Sequence, residues 1–158
     1  MITSFAIFYD VEDPNQFCSD IKKILKPNGV WICELSYLPL MLKNLTFDQI
    51  CHEHVTYYSL CVFEKIINQN GLKLLDVKLN EINGGSIEII CGHKLSKRTV
   101  NKKFIDILKR DELKINSRSF LNFSNRIKKI KKDLNNFFNS KKDILGYGAS
   151  TKGNVVLN

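Results

Sequence analysis

The chain has 158 residues, 44% of them hydrophobic and 10% aromatic, with 24 Lys and Arg set against 16 Asp and Glu for a formal net charge of +8. This apolar content excludes a disordered chain, and no apolar run approaches the roughly 20 residues of a helical membrane span. The N-terminus lacks the marks of a secretory signal and the five cysteines are irregularly spaced, so a cytoplasmic protein without a disulfide framework is expected, with all but Cys51 as buried thiols.

Ile2 to Tyr9 is a continuous apolar run ended by Asp10 and an Asp13-Pro14 turn signal, and it predicts a strand buried on both faces. From Asn15 to Leu25 the apolar positions Phe17, Ile21, Ile24 and Leu25 keep helical spacing until Pro27-Asn28-Gly29 stops the helix. Val30 to Leu35 reads as a second buried strand. Strand, helix, turn and strand within about 35 residues predict a parallel crossover unit with its helix on one sheet face. Ser36 to Lys43 then forms a loop or short helix.

The run TFDQICHEHVTYYS, residues 46–59, sets His52, Glu53 and His54 in a row ahead of Tyr57 and Tyr58. Such a cluster points to proton transfer, because an imidazole titrates near neutral pH and an adjacent carboxylate holds its tautomer or handles the proton. A structural polar cluster is one rival reading. Metal binding is another, since residues two apart in an extended segment share a side; the spacing, however, is not that of a helical zinc motif, and no Cys-x-x-Cys pair completes a tetrahedron. No metal site is therefore assigned.

Val62 to Gln69 predicts a helix closed by Asn70-Gly71, and Leu72 to Leu79 and Ser86 to Cys91 predict two strands. Asn83-Gly84-Gly85 joins them as an antiparallel pair through positive backbone angles. Gly92 to Arg98 marks a domain junction, dividing 1–92 from 93–158. Thr99 to Arg110 and Ser119 to Phe138 predict helices, the second with Phe120, Phe123, Ile127, Ile130, Leu134 and Phe137 in a narrow seam. The seam lasts under three heptads and suits packing on the rest of the protein better than a dimer interface. Much of the lysine excess lies on the polar faces of these helices, which argues against nucleic acid as a partner. Asp143 to Tyr147 predicts a strand running into GYGASTKGN, where Gly146, Gly148 and Gly153 allow close backbone approach and Ser150, Thr151 and Lys152 can cradle a phosphate or nucleotide. A tight structural turn is the alternative.

Taken in order, ITSFAIFYDVEDP, KILKPNGVWICELSYLPLML, CHEHVTYYS, NGGSIEI and GYGASTKGN resemble the SAM-dependent C-methyltransferases of nucleotide-linked keto-sugars over almost the whole chain. The His-Glu-His block and the Asn-Gly-Gly-Ser turn are the specific part; the first two segments resemble class I methyltransferases in general. Resembling proteins carry Tyr where this chain has Cys51, so the role of that phenol has no counterpart. The resemblance implies an α/β fold: the later strands and antiparallel hairpin of a class I methyltransferase Rossmann-like sheet over 1–92, then helices and the start of a second Rossmann-like domain over 93–158. It further implies a piece truncated at both ends and inactive alone, S-adenosyl-L-methionine (SAM) as cofactor of the full-length parent, and zinc in a missing N-terminal domain.

The implied reaction methylates a sugar carbon next to a ketone, with His54 as base and Glu53 assisting it through orientation or proton handling. His52, Tyr57 and Asn83 are implied to shape the sugar site. Tyr9, on the cofactor side, and Glu34 with Tyr37, on the substrate side, lie beyond the carboxyl ends of the two predicted strands, where open α/β sheets bind ligands. Other class I small-molecule methyltransferases, which need no carbon base, and a basic nucleic-acid-binding module are the competing readings.

Overall fold

A computed structural model describes residues 1–141, 143–148 and 150–157. The chain opens with β1 (Ile2–Phe5), crosses through α1 (Pro14–Ile24) and returns as β2 (Trp31–Ser36), parallel to β1 with Ile2 opposite Trp31 and Phe5 opposite Glu34. The crossover expected from the sequence is thus present. Its helix starts where Asp13 accepts the backbone N–H groups of Asn15 and Gln16 and Pro14 takes the first position, where a missing N–H costs nothing.

β1 is shorter and less buried than its apolar run suggested. Ala6 takes a left-handed φ of 52°, which breaks the ladder, and the chain turns through a 3-10 turn at Phe8–Asp10. β1 is also the edge of the sheet, so only Phe8 and Tyr9 of the run enter the core while Phe5 and Ile7 stay exposed. Ile24 is likewise exposed: Cys18, Ile21 and Leu25 define the buried arc of the helix, and Ile24 falls outside it.

After α2 (Leu38–Asn44) and the loop 45–59, α3 (Leu60–Gln69) leads into the hairpin of β3 (Leu72–Asn80) and β4 (Ser86–His93). β4 inserts antiparallel between β2 and β3, giving the mixed order β1-β2-β4-β3. Fully buried Phe8, Trp31, Tyr58 and Phe63 make the aromatic centre of the core, with Phe8 ring centroids 4.9 Å from Phe63 and 5.1 Å from Tyr58. Burial pushes the Cys18 and Cys33 thiols up to about 12 and holds them inert. Cys61, expected in the core, is only half-buried at the start of α3.

α4 (Lys102–Glu112) packs on α3 and β3 and ends in a buried carboxylate. Glu112 accepts the N–H of Leu60 at 2.5 Å, the N–H of Cys61 at 2.9 Å and the hydroxyl of Tyr37 at 2.7 Å. The Ser59 hydroxyl accepts from Val62, and its carbonyl takes the first intrahelical bond from Phe63. The N–H groups of the first three helical residues, which a helix start leaves without backbone partners, are thereby all satisfied. A carboxylate in the last turn of α4 opposes that helix's own dipole, and its place against the N-terminus of α3 reverses the balance.

α5 (Ser117–Asn139) is capped by reciprocal Asn116 and Ser119 bonds and packs on α2, where Arg126 donates to the carbonyls of Leu42 and Lys43. Of its expected seam, Phe123 is buried while Phe120 and Phe137 stay exposed. The strand expected over 143–147 does not form: no ladder pairs it, and Leu145 and Tyr147 are fully exposed. The chain ends in α6 (Thr151–Leu157). Among the described residues no helix is long and apolar enough to cross a membrane.

Replacing Glu112 by Ala strands three buried donors, and a loss of about 3 kcal/mol in urea unfolding is expected, with Glu112→Gln losing roughly half as much because one acceptor oxygen remains.

Candidate functional site

The loop 45–59 starts where Leu45, at a left-handed φ of 60°, turns the chain off the end of α2. It is pinned from below by one carbonyl. Tyr9 O accepts the N–H groups of Val55 at 2.9 Å and Thr56 at 3.2 Å, and the Tyr9 ring lies against the His54 imidazole with centroids 4.2 Å apart. The Tyr57 ring stands edge-on to His54 at 6.2 Å. His54 Nδ1 is buried with no hydrogen-bond partner, which leaves Nε2 as the nitrogen able to meet a substrate. Burial above all, then the nearby Asp10, Glu34 and Cys51, pushes the Tyr9 phenol up against a weaker opposing bond from Ser36, so Tyr9 is a neutral hydroxyl at physiological pH.

The loop is pinned from within by Gln49, 1% exposed. Its Nε2 donates to the carbonyl of Asn83 at 2.8 Å, its Oε1 accepts the Ser36 hydroxyl at 3.2 Å, and its backbone carbonyl accepts the Tyr57 hydroxyl at 3.2 Å. One side chain thus joins the end of β2, the His-Glu-His loop and the β3–β4 turn. That turn has positive φ at Asn83, Gly84 and Gly85, as its sequence predicted. It also sits too close to the loop for a side chain, since a Cβ on Gly84 would lie 2.2 Å from the Thr46 methyl. Asn44 closes the contact by donating to the Gly84 carbonyl at 2.7 Å.

Glu53 does not hold the His54 ring, contrary to the orienting role expected for it. Its Oε2 lies 3.5 Å from His52 Nδ1 and its Oε1 accepts the Thr151 hydroxyl at 3.0 Å. Bonds from the Cys51 thiol and from the Glu53 backbone N–H hold the Glu53 carboxyl below the usual carboxylate range against the cost of burial, with smaller help from Thr151 and then His52. His52 itself is 86% exposed. Among the described residues no three His, Cys, Asp or Glu side chains converge as a metal site requires.

Of the residues expected at the site, the structure brings Tyr9, His54 and Tyr57 into contact beyond the end of β1, links Tyr57 to Asn83 through Gln49 and sets Glu53 beside His52, whereas Glu34 lies buried inside β2, two residues before its end and near enough to Tyr9 to raise its phenol. Tyr37 is not among them. Side chains alternate along a strand, and Tyr37 falls in step with Trp31, Cys33 and Leu35, so its hydroxyl is spent on Glu112 and burial with that carboxylate pushes its phenol far up. In the 146–153 segment, Gly146 and Gly148 face open space, Ser150 accepts the Gly153 N–H, and Lys152 donates to Asn83 Oδ1 at 3.0 Å. An open cavity of about 760 Å³ is lined by this segment together with Phe47 and Asp48.

Sequence reasoning missed Gln49, Ser36 and the bonds of Cys51 and Thr151 to Glu53. No local signal marks Gln49, whose partners lie 13 and 34 residues away. Gln49→Leu leaves the Ser36 hydroxyl and Asn83 carbonyl without their partner, so a loss of about 2 kcal/mol in thermal unfolding is expected together with faster amide exchange at Gly84.

Residues 81–158 match the model of the C-methyltransferase C-terminal domain. Over 156 residues the chain is 28% identical to the C-methyltransferase NovU of Streptomyces niveus, an alignment that covers 95% of this chain and 37% of NovU. The chain thus spans little more than a third of the curated relative it matches. Among solved structures, a chain from the complex containing the Haloferax volcanii Trm112 methyltransferase activator aligns with a TM-score of 0.48 and 17% identity, over 58% of this chain and 52% of that one. The family match runs from the base of the Asn83 turn through α6 and the identity to NovU reaches back over the His-Glu-His loop, so that the two likenesses to C-methyltransferases together take in both parts of the site.

Proposed function

We infer that this chain carries the proton-transfer part of a SAM-dependent C-methyltransferase site acting on the carbon beside the ketone of a nucleotide-linked sugar. Such a carbon becomes a nucleophile only after losing a proton, so the site needs a base aimed at it and surroundings that stabilise the enolate. His54 is that base. The observation that carries this assignment is the setting of its ring, held on Tyr9 with Nδ1 closed off and Nε2 left to meet the substrate. Glu53, which makes no bond to His54, serves in proton handling and not as the orienting partner. His52, Tyr57, Asn83 and Glu34 shape the sugar site around the base. The resemblance of the His-Glu-His and Asn-Gly-Gly-Ser segments to enzymes of keto-sugars supports the choice of substrate.

The cofactor supplies an electrophilic methyl group on a sulfonium. Tyr9, whose buried ring rests on His54, is assigned to the cofactor side and makes one edge of that site. No glycine-rich turn follows either β1 or β2, whereas a nucleotide-type cofactor takes its close backbone contacts from such a turn. The nucleotide end of the substrate is assigned to the cavity beside Gly146, Gly148, Ser150, Lys152 and Gly153, whose volume of about 760 Å³ lies within the range of ligand sites.

Two measurements test this reading. Isothermal titration of the 158-residue chain with SAM should show no saturable binding at low micromolar concentration, because the chain contributes only one edge of that site. In the complete enzyme, His54→Ala should slow solvent deuterium exchange at the sugar carbon about 10² to 10⁴-fold while SAM affinity stays near its starting value. An unchanged exchange rate removes His54 from the base role and passes it to Glu53.

A further inference from the structure

Neighbouring residues of α6 reach two separate parts of the site. Thr151 Oγ1 donates to Glu53 Oε1 and Lys152 Nζ donates to Asn83 Oδ1, each at 3.0 Å. Successive side chains on a helix point about 100° apart, so one helix start can address the His-Glu-His loop and the glycine turn together. The 3-10 turn at Phe47–Gln49 packs against α6 and keeps the two segments in contact.

Glu53 needs such help. Its side chain is 45% exposed on a loop, and a long carboxylate side chain left free samples many rotamers. Within the loop the Cys51 thiol bonds the carboxylate, and His52 approaches one oxygen at 3.5 Å from a side chain 86% exposed. Thr151 is the donor that reaches the other oxygen from a different element.

We propose that Thr151 is a positioning residue, holding the Glu53 carboxylate in the orientation that proton handling at the sugar carbon requires. This rests on the role given to Glu53 above. It also gives a hydroxyl that the sequence offered to a phosphate a different task. The groups facing Glu53 are Cys51 and His52 from its own loop and Thr151 from α6, while the neighbouring ammonium of Lys152 is engaged with Asn83. Loss of the Thr151 donor therefore moves the Glu53 carboxyl up, toward the ordinary carboxylate range.

The test compares Thr151→Val, which keeps the branched shape and removes the hydroxyl, with Thr151→Ser, which keeps the hydroxyl, in the complete enzyme. For Thr151→Val, kcat is expected to fall about tenfold with KM nearly unchanged, and the Glu53 carboxyl to titrate at higher pH. Thr151→Ser should restore both. Carboxyl NMR titration of the 158-residue chain gives a readout without catalysis: the Glu53 midpoint rises in the Val variant and returns in the Ser variant. Glu53→Gln separates the two levels of the argument. If Glu53→Gln cripples exchange at the sugar carbon while Thr151→Val leaves kcat and the Glu53 midpoint in place, the positioning role is overturned and the role of Glu53 stands. A Thr151→Val enzyme that only melts earlier, with kcat and the Glu53 midpoint unmoved, also overturns it. If Glu53→Gln exchanges at the wild-type rate, the role of Glu53 fails and that of Thr151 with it.

Discussion

A primary amide sealed from water has to satisfy both its ends, and the amide of Gln49 does so with groups from two other parts of the chain. Its oxygen needs a donor and takes the Ser36 hydroxyl; its nitrogen needs an acceptor and takes the Asn83 carbonyl. The end of β2, the His-Glu-His loop and the β3–β4 turn therefore have one mutual arrangement that leaves nothing unpaired. The glycines of the turn complete the constraint by allowing a backbone approach that a side chain at Gly84 would block.

A second buried polar group secures the scaffold behind the site. Glu112 neutralises the exposed dipole end of α3 and fixes the Tyr37 hydroxyl, tying α4 to the segment that follows β2. α3 begins immediately after the loop that carries His54, so the rigidity of its first turn bears on how firmly the loop's far end is held. The near end is held by Leu45 and the 3-10 turn at Phe47–Gln49. Polar groups hold this loop more than apolar ones do, which is why it can present exposed chemistry at its centre and remain in place.

The parallel crossover and the hairpin were legible in the sequence because their signals are local: two apolar runs around an amphipathic helix, and an Asn-Gly-Gly turn that needs positive φ. The extent of β1 was not legible. An apolar run records that residues are buried but not how many strands lie beside them, and Phe8 and Tyr9 are buried from a 3-10 turn instead of a strand. The 143–147 segment misled for the same reason, having strand composition and no ladder. At the site, the His-Glu-His block stood out by composition, whereas Tyr37 was misplaced because its direction depends on strand parity. Gln49 and Glu112 escaped notice altogether. A buried Gln or Glu differs from an exposed one only through partners elsewhere in the fold.

Tyr9 meets the His54 segment twice, through its ring on the imidazole and through its carbonyl on Val55 and Thr56. A shift of Tyr9 thus acts on the loop 45–59 through a side-chain path and a backbone path at once. The setting of the turn after β1 and the alignment of the His54 ring thereby become one event.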